Sequence, residues 1–324
     1  MKKLGFMFTV LLLAIGLAAC GSGSEAKNDN KQASEGNGND HEQQEETLTI
    51  KHELGETSVQ KNPKKVVVFD FGALDTLDAL GVEEVVGLPQ MNVPNYLSKY
   101  EGDEYENVGS LKEPDFEKIH ALKPDLILIS GRQSDMYDEF TEIAPTIFVG
   151  LDTSRYMESF KENVNTLAKI FGKEDVAKTE VEKIDDKIAA LHEKASKDDG
   201  KSLVVLANEG KMSAYGPSSR FGIIHDVFGF APADENIEVS THGQNVSFEY
   251  VLEQNPDYLF VIDRGTAIGG ESSSKQLVEN ELIQKTNAYK NDKIVYLDPE
   301  NWYLSGGGLE SVSAMADEVE VVLD

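Results

Sequence analysis

Cysteine is almost absent: the 324-residue chain has one, Cys20. An internal disulfide is therefore excluded, and so is a metal site built from several thiolates. Positive charge is scarce as well. Thirty lysines and arginines face 58 acidic residues, a net charge of −28, which argues against nucleic acid or an anionic membrane surface as partner. Arginine is rarer still, with only Arg132, Arg155, Arg220 and Arg264. The six histidines (His41, His52, His120, His192, His225 and His242) show no metal-ligand spacing. There is no P-loop, HExxH, GxSxG or triad motif, and Gly265–Gly270 has the wrong pattern for a dinucleotide site. These absences leave little support for an enzyme and none for a resident metal or cofactor.

The single cysteine sits where an export signal ends. Lys2 and Lys3 precede a short apolar run, Leu4–Gly16, and then come Leu17, Ala18, Ala19 and Cys20. The run is too short for a comfortable membrane span and reads as a signal peptide over 1–19. Small residues ahead of the cysteine read as a bacterial lipobox, with Cys20 left as the lipid-carrying first residue. An ordinary signal peptide with an incidental cysteine is the other reading. The segment 20–46 is Gly, Ser, Asn, Gln, Asp and Glu with almost nothing apolar. It cannot bury a core and reads as a disordered acidic tether.

What the folded part does contain is a repeat. Residues 116–132 (FEKIHALKPDLILISGR) and 248–264 (FEYVLEQNPDYLFVIDR) share Phe116/Phe248, Glu117/Glu249, Pro124/Pro256, Asp125/Asp257 and Arg132/Arg264 at one fixed offset. Two similar lobes are implied, each offering a Glu and an Arg in equivalent places. Continuous apolar runs at Lys65–Asp70, Leu126–Ser130, Thr146–Val149, Leu203–Ala207, Tyr258–Ile262 and Ile294–Leu297 read as strands of parallel sheets covered on both faces. Asp115–Leu122, Ser134–Ile143, Phe248–Gln254 and Lys275–Ile283 suit crossover helices. Phe160, Val164, Leu167 and Phe171 form the apolar stripe of a long helix starting near Ser154, which Gly172 breaks. A second helix carries Val181, Ile184, Ile188 and Leu191. The predicted fold is α/β: Rossmann-like lobes at 47–152 and 199–324, mostly parallel sheets, joined by helices over 153–198, with a ligand cleft between the lobes.

Lysine is the default cation here, and arginine suits a forked grip on an anion. Arg132 and Arg264 each follow a predicted parallel strand, where open α/β sheets bind ligands. The alternative for each is a solvated surface ion pair. Arg220, in the loop 215–220 before a helix expected over Phe221–Phe228, is a third candidate. Arg155, at the start of the long helix, reads as structural. Glu117 and Glu249 stand near helix starts, where a carboxylate complements the helix dipole; their equivalence also suits docking to a two-fold partner. Trp302 is the only tryptophan and adjoins the run Gly306–Gly308. His242 sits in a glycine-containing segment that could line a cleft.

The lipobox, the acidic tether, the duplicated FExxxxxxPD and the mid-chain helix together resemble the siderophore and cobalamin substrate-binding proteins of ABC importers. The resemblance is particularly close to the petrobactin-binding lipoproteins of Gram-positive bacteria. The segments FDFGALDTLDALG, VGSLKEPDFEKI, YGPSSRFGIIHDVFG, STHGQNVSFEYV, VIDRGTAIG and WYLSGGGLES carry the match. The resemblance implies that Arg132, Arg220 and Arg264 are cationic cleft residues. It implies that Glu117 and Glu249 dock on a permease dimer. Trp302 and Tyr215 become candidate aromatic walls, with His242 a further contact. The implied ligand is an iron(III)–siderophore complex whose iron is already coordinated, so no cofactor or protein metal ligand is needed. The implied protein is a monomer held by lipid on the outer face of the cell membrane. Haem or cobalamin capture is the alternative within binding proteins, and an α/β metal-dependent hydrolase the alternative outside them.

Overall fold

An antiparallel hairpin, β1 (Thr47–His52) with β2 (Gly55–Gln60), opens the folded part. The structure is a computed structural model that describes residues 46–270, 274–275 and 280–323. The signal peptide, Cys20 and all of the tether but Glu46 lie outside the described residues, as does part of the helix expected over Lys275–Ile283.

The N-terminal sheet holds β3 (Val66–Val68), β4 (Val85–Leu88), β5 (Glu106–Asn107), β6 (Leu126–Ile129) and β7 (Thr146–Phe148). Its order is β5-β4-β3-β6-β7, and every pairing is parallel. The second sheet holds β8 (Lys201–Asn208), β9 (Lys211–Tyr215), β10 (Ala231–Pro232), β11 (Gln244–Val246), β12 (Tyr258–Asp263) and β13 (Ile294–Leu297). Its order is β11-β9-β8-β12-β13, with β10 also on β8. β8, β10, β12 and β13 pair in parallel, whereas β9 pairs antiparallel with both β8 and β11. β9 and β11 were not legible as apolar runs, because each carries exposed and half-buried positions.

Helix α1 (Phe71–Ala79) follows β3 and is capped by Asp70, whose carboxylate accepts from Ala73 N at 2.8 Å. The repeated segments fold alike. Helices α2 (Phe116–Leu122) and, in the second lobe, Phe248–Gln254 each span seven residues. Asp115 caps the first and Ser247 the second. Each ends in a left-handed residue, Lys123 (φ 52) and Asn255 (φ 43), directly before its proline. The repeated aspartate then ties down the neighbouring strand. Asp125 accepts from Lys64 N and Lys65 N (2.8 and 2.9 Å) ahead of β3, and Asp257 accepts from Lys201 N (3.0 Å) at the start of β8. The duplicated Pro-Asp pair is thus a register device: it stops the helix and aligns the next parallel pair.

Ser134–Ile143 is a 3-10 turn, Ser134–Met136, followed by α3 (Tyr137–Thr141). The linking helices are α4 (Tyr156–Phe171) and α5 (Glu174–Ala195). Phe160, Val164, Leu167, Phe171, Ile184, Ile188 and Leu191 of their stripes are buried, and Gly172 between them is left-handed at φ 64. The helix expected over Phe221–Phe228 shrinks to α6 (Ile223–Asp226). The C-terminal helix Leu309–Glu320 packs on α1 and α5. The end of the chain therefore leaves the second lobe and covers the first lobe and the linker.

Candidate functional site

Three of the four arginines converge on one residue. Arg132 follows β6 and Arg264 follows β12, each at the carboxyl end of a parallel strand, whereas Arg220 lies in the loop between the antiparallel β9 and α6. Arg132 and Arg220 each donate through Nη2 to the backbone carbonyl of Tyr303, at 2.9 and 2.6 Å. Arg264 donates through Nε to the Tyr303 hydroxyl at 2.9 Å and through Nη1 to Asn208 Oδ1 at 2.8 Å. The guanidinium carbons lie 5.9, 4.3 and 5.9 Å from the centre of the Tyr303 ring. Among the described residues none of the three forms an ion pair. Arg155 differs: Asp152, Glu158 and Glu162 surround it at 3.1, 2.9 and 3.5 Å.

The electrostatics follow from that geometry. Burial, with the Arg132 charge beside it, lowers the Arg220 guanidinium. Burial would raise the Tyr303 phenol, but the Arg264 hydrogen bond and the charges of Arg220, Arg264 and Arg132 bring it below its usual value. A cavity of about 750 Å³ opens beside this cluster between the lobes. Asp70, Gly131, Arg132 and Leu151 line it from the first lobe; Ser219, Arg220, Ser240 and Tyr303 line it from the second half of the chain.

The other sequence candidates stand as follows. Tyr215 is buried in β9 with its ring 4.6 Å from Phe221, and is not among the residues lining the cavity. Trp302 lines the cavity but is only 2 % exposed. It donates its indole N–H to Glu318 at 3.0 Å and packs edge-on to Phe228. His242 is exposed, and its neighbours Val239, Ser240 and Thr241 line the cavity while its own side chain does not. Glu117 and Glu249 are exposed on the matched helices of the two lobes. Tyr303 was missed. Its signal was its place between the tryptophan and the glycines, but the acceptor it gives Arg132 and Arg220 is a carbonyl, which every residue has.

Arg132 and Arg220, without acid partners among the described residues, line a cleft between two α/β lobes, with Arg264 joined to them through Tyr303; this is the architecture of a two-lobed solute-binding protein. The comparisons agree. The periplasmic binding protein family model matches residues 66–301. Petrobactin-binding protein YclQ of Bacillus subtilis (strain 168) is 55% identical over 323 residues, covering 99% of this chain and 98% of the relative. Ferric-anguibactin-binding protein FatB of Vibrio anguillarum is 33% identical over 85% of this chain and 87% of its own. The crystal structure of YclQ superposes with a TM-score of 0.85 at 59% identity, covering 86% of this chain and 99% of that one. The chain belongs to the periplasmic binding protein family. It is a substrate-binding protein rather than an enzyme, the extracellular binding component of an ABC importer.

Proposed function

We propose that the protein captures a ferric siderophore of the catecholate or citrate–catecholate class, petrobactin-like, and delivers it to the permease dimer of an ABC importer. The observation that carries this reading is the meeting of Arg132, Arg220 and Arg264 at Tyr303 with no acid partner among the described residues. A ferric catecholate is a compact anion whose iron the siderophore already holds. The protein then supplies charge, hydrogen bonds and an aromatic face rather than metal ligands. The name of the B. subtilis relative supports petrobactin within that class.

Glu117 and Glu249 are the docking acids of this reading, one per lobe, for a two-fold permease. Cys20 carries the lipid that keeps the protein, as a monomer, at the outer face of the cell membrane. Trp302 is a single fluorescent reporter for the direct test. Ferric petrobactin, a ferric tris-catecholate, a ferric hydroxamate, haem and cobalamin are titrated in turn. Saturable quenching is expected to be tightest for ferric petrobactin. Tighter binding of haem, cobalamin or a neutral hydroxamate would overturn the reading.

A further inference from the structure

The turn that carries Tyr303 belongs mechanically to the first lobe. It is the π-helical turn Glu300–Leu304, and both of its ends are held there. At the front, the Glu300 carboxylate accepts from Asn95 N and Nδ2 at 2.7 and 2.6 Å. At the back, Ser305 Oγ accepts from the Tyr96 hydroxyl at 2.7 Å and donates to the Glu300 carbonyl at 2.8 Å. Gly72 of α1 lies so close that a Cβ there would meet the Ser305 carbonyl at 2.6 Å.

Behind this turn lies Asp75, a carboxylate 1 % exposed on α1. One oxygen accepts from Glu310 N and the other from Ser311 N, both at 2.8 Å, so a first-lobe side chain caps the C-terminal helix. The Tyr96 hydroxyl stands 3.2 Å from the same carboxylate and 2.7 Å from Ser305. A Cβ on Gly308 would collide with Asp75. No lysine, arginine or histidine pairs with Asp75 among the described residues.

We propose that Asp75 is a positioning residue for ligand capture. Through the C-terminal helix and Tyr96 it holds the Glu300–Leu304 turn, and so Tyr303, where the three arginines meet. The inference rests on the siderophore-capture reading for its binding readout alone. Burial raises the Asp75 carboxyl to about 6, against the hydrogen bonds from Glu310 and Ser311. Above that pH a charged carboxylate grips both helix N–H groups; below it the acceptor is neutral and the grip weaker. The titratable groups around it are few. Tyr96 faces it from the 3-10 helix Asn95–Glu101. On the C-terminal helix, Glu310 meets it through the backbone and is itself exposed. On α1 itself, Asp78 pairs with Lys99 and Tyr100. Tyr156 of α4 stands beside Gly306, with Asp70 and Arg220 as its charged neighbours.

The test compares wild type with Asp75→Asn and Tyr96→Phe. Asn keeps the size but turns an NH2 toward a backbone donor, so one helix N–H loses its acceptor at every pH. Hydrogen exchange of the unliganded protein reads the 300–311 amides, and binding is measured with ferric petrobactin. At about pH 8, Asp75→Asn is expected to speed exchange in that segment and to weaken binding roughly fivefold. At about pH 5 the wild-type carboxyl is neutral too, and the ratio between variant and wild type should fall toward one. Unchanged exchange and affinity at pH 8 would overturn the proposal. So would an equal loss at both pH values, which is what a merely structural role produces. If Asp75→Asn does not fold, Tyr96→Phe decides: it leaves the cap and cuts the link to Ser305. Faster exchange at Ser305 with weaker binding supports the proposal, and no change in either defeats it. A wild-type protein that binds no ferric siderophore refutes the capture reading instead, while the exchange result still judges Asp75.

Discussion

Arg220 donates to the Tyr303 carbonyl at 2.6 Å and lies 4.3 Å from the centre of the same ring. One residue thereby meets the guanidinium through its backbone and its face. Arg132 shares the carbonyl, and Arg264 takes the hydroxyl. Tyr303 thus gives three mutually repelling cations acceptors on a single residue.

Replacing any one of Arg132, Arg220 or Arg264 by Gln keeps hydrogen-bonding capacity and removes the charge. Each should weaken ferric petrobactin binding by about tenfold to a hundredfold, the loss of one charge-assisted contact worth about 1.5–3 kcal/mol. Arg155→Gln should change affinity little, because Arg155 is occupied by Asp152, Glu158 and Glu162. Fluorescence titration of the four variants checks this. A loss at Arg155 equal to the others, or no loss at any of the three, would remove the arginines from the site.

The sequence made the arginines visible through their scarcity and their place after apolar runs. It also showed both lobes, through the repeat and the parallel strands. What it hid depends on non-local packing. The C-terminal helix has an apolar stripe of Val312, Met315, Ala316 and Val319, but nothing local says which lobe the stripe will cover. Asp75 was visible as an acid inside an apolar helix segment, yet its partners lie 235 and 236 residues away. Tyr215 and Trp302 show what packing adds to such a reading: Tyr215 is buried against Phe221 and does not line the cavity, whereas Trp302 lines it while packing edge-on to Phe228.

Glu117→Ala and Glu249→Ala should leave ligand affinity unchanged and impair uptake, most severely together. Both carboxylates are exposed on matched helices, and neither lines the cavity. Siderophore-dependent iron uptake in cells is the readout. A double variant importing at the wild-type rate would end the docking role.

Cys20→Ala should release the protein into the medium while the purified protein keeps wild-type affinity. Membrane fractionation distinguishes this from anchoring by any other means: variant protein that stays with the membrane rules out the lipid.

The repeated aspartates predict matched stability losses. Asp125→Ala removes the acceptor of Lys64 N and Lys65 N. Asp257→Ala removes that of Lys201 N and of Asn287 Nδ2. Both sites are half-buried, so water replaces part of each loss and about 1 kcal/mol is expected from each. In different lobes, the two should add. Urea unfolding of both single variants and the double is the measurement, and a stability unchanged by either substitution would deprive the Pro-Asp pair of its register role.

Tyr303→Phe separates the hydroxyl from the carbonyl. The variant keeps the acceptor for Arg132 and Arg220 and removes the one for Arg264 Nε, leaving Arg264 held only by Asn208. Affinity near neutral pH should fall by about threefold to tenfold, the scale of one modest hydrogen bond. The pH profile is the sharper signature. The arginines hold the phenol below its usual value against the opposing effect of burial, so Tyr303 ionises earlier in alkali than a free tyrosine. The phenolate formed there is an internal anion competing with the ligand for Arg220, Arg264 and Arg132. Wild-type affinity should therefore decline relative to Tyr303→Phe as pH rises through the phenol titration, with phenolate absorbance marking the same transition. Wild-type and variant affinities running parallel across that range would show that the phenol does not share the arginines with the ligand.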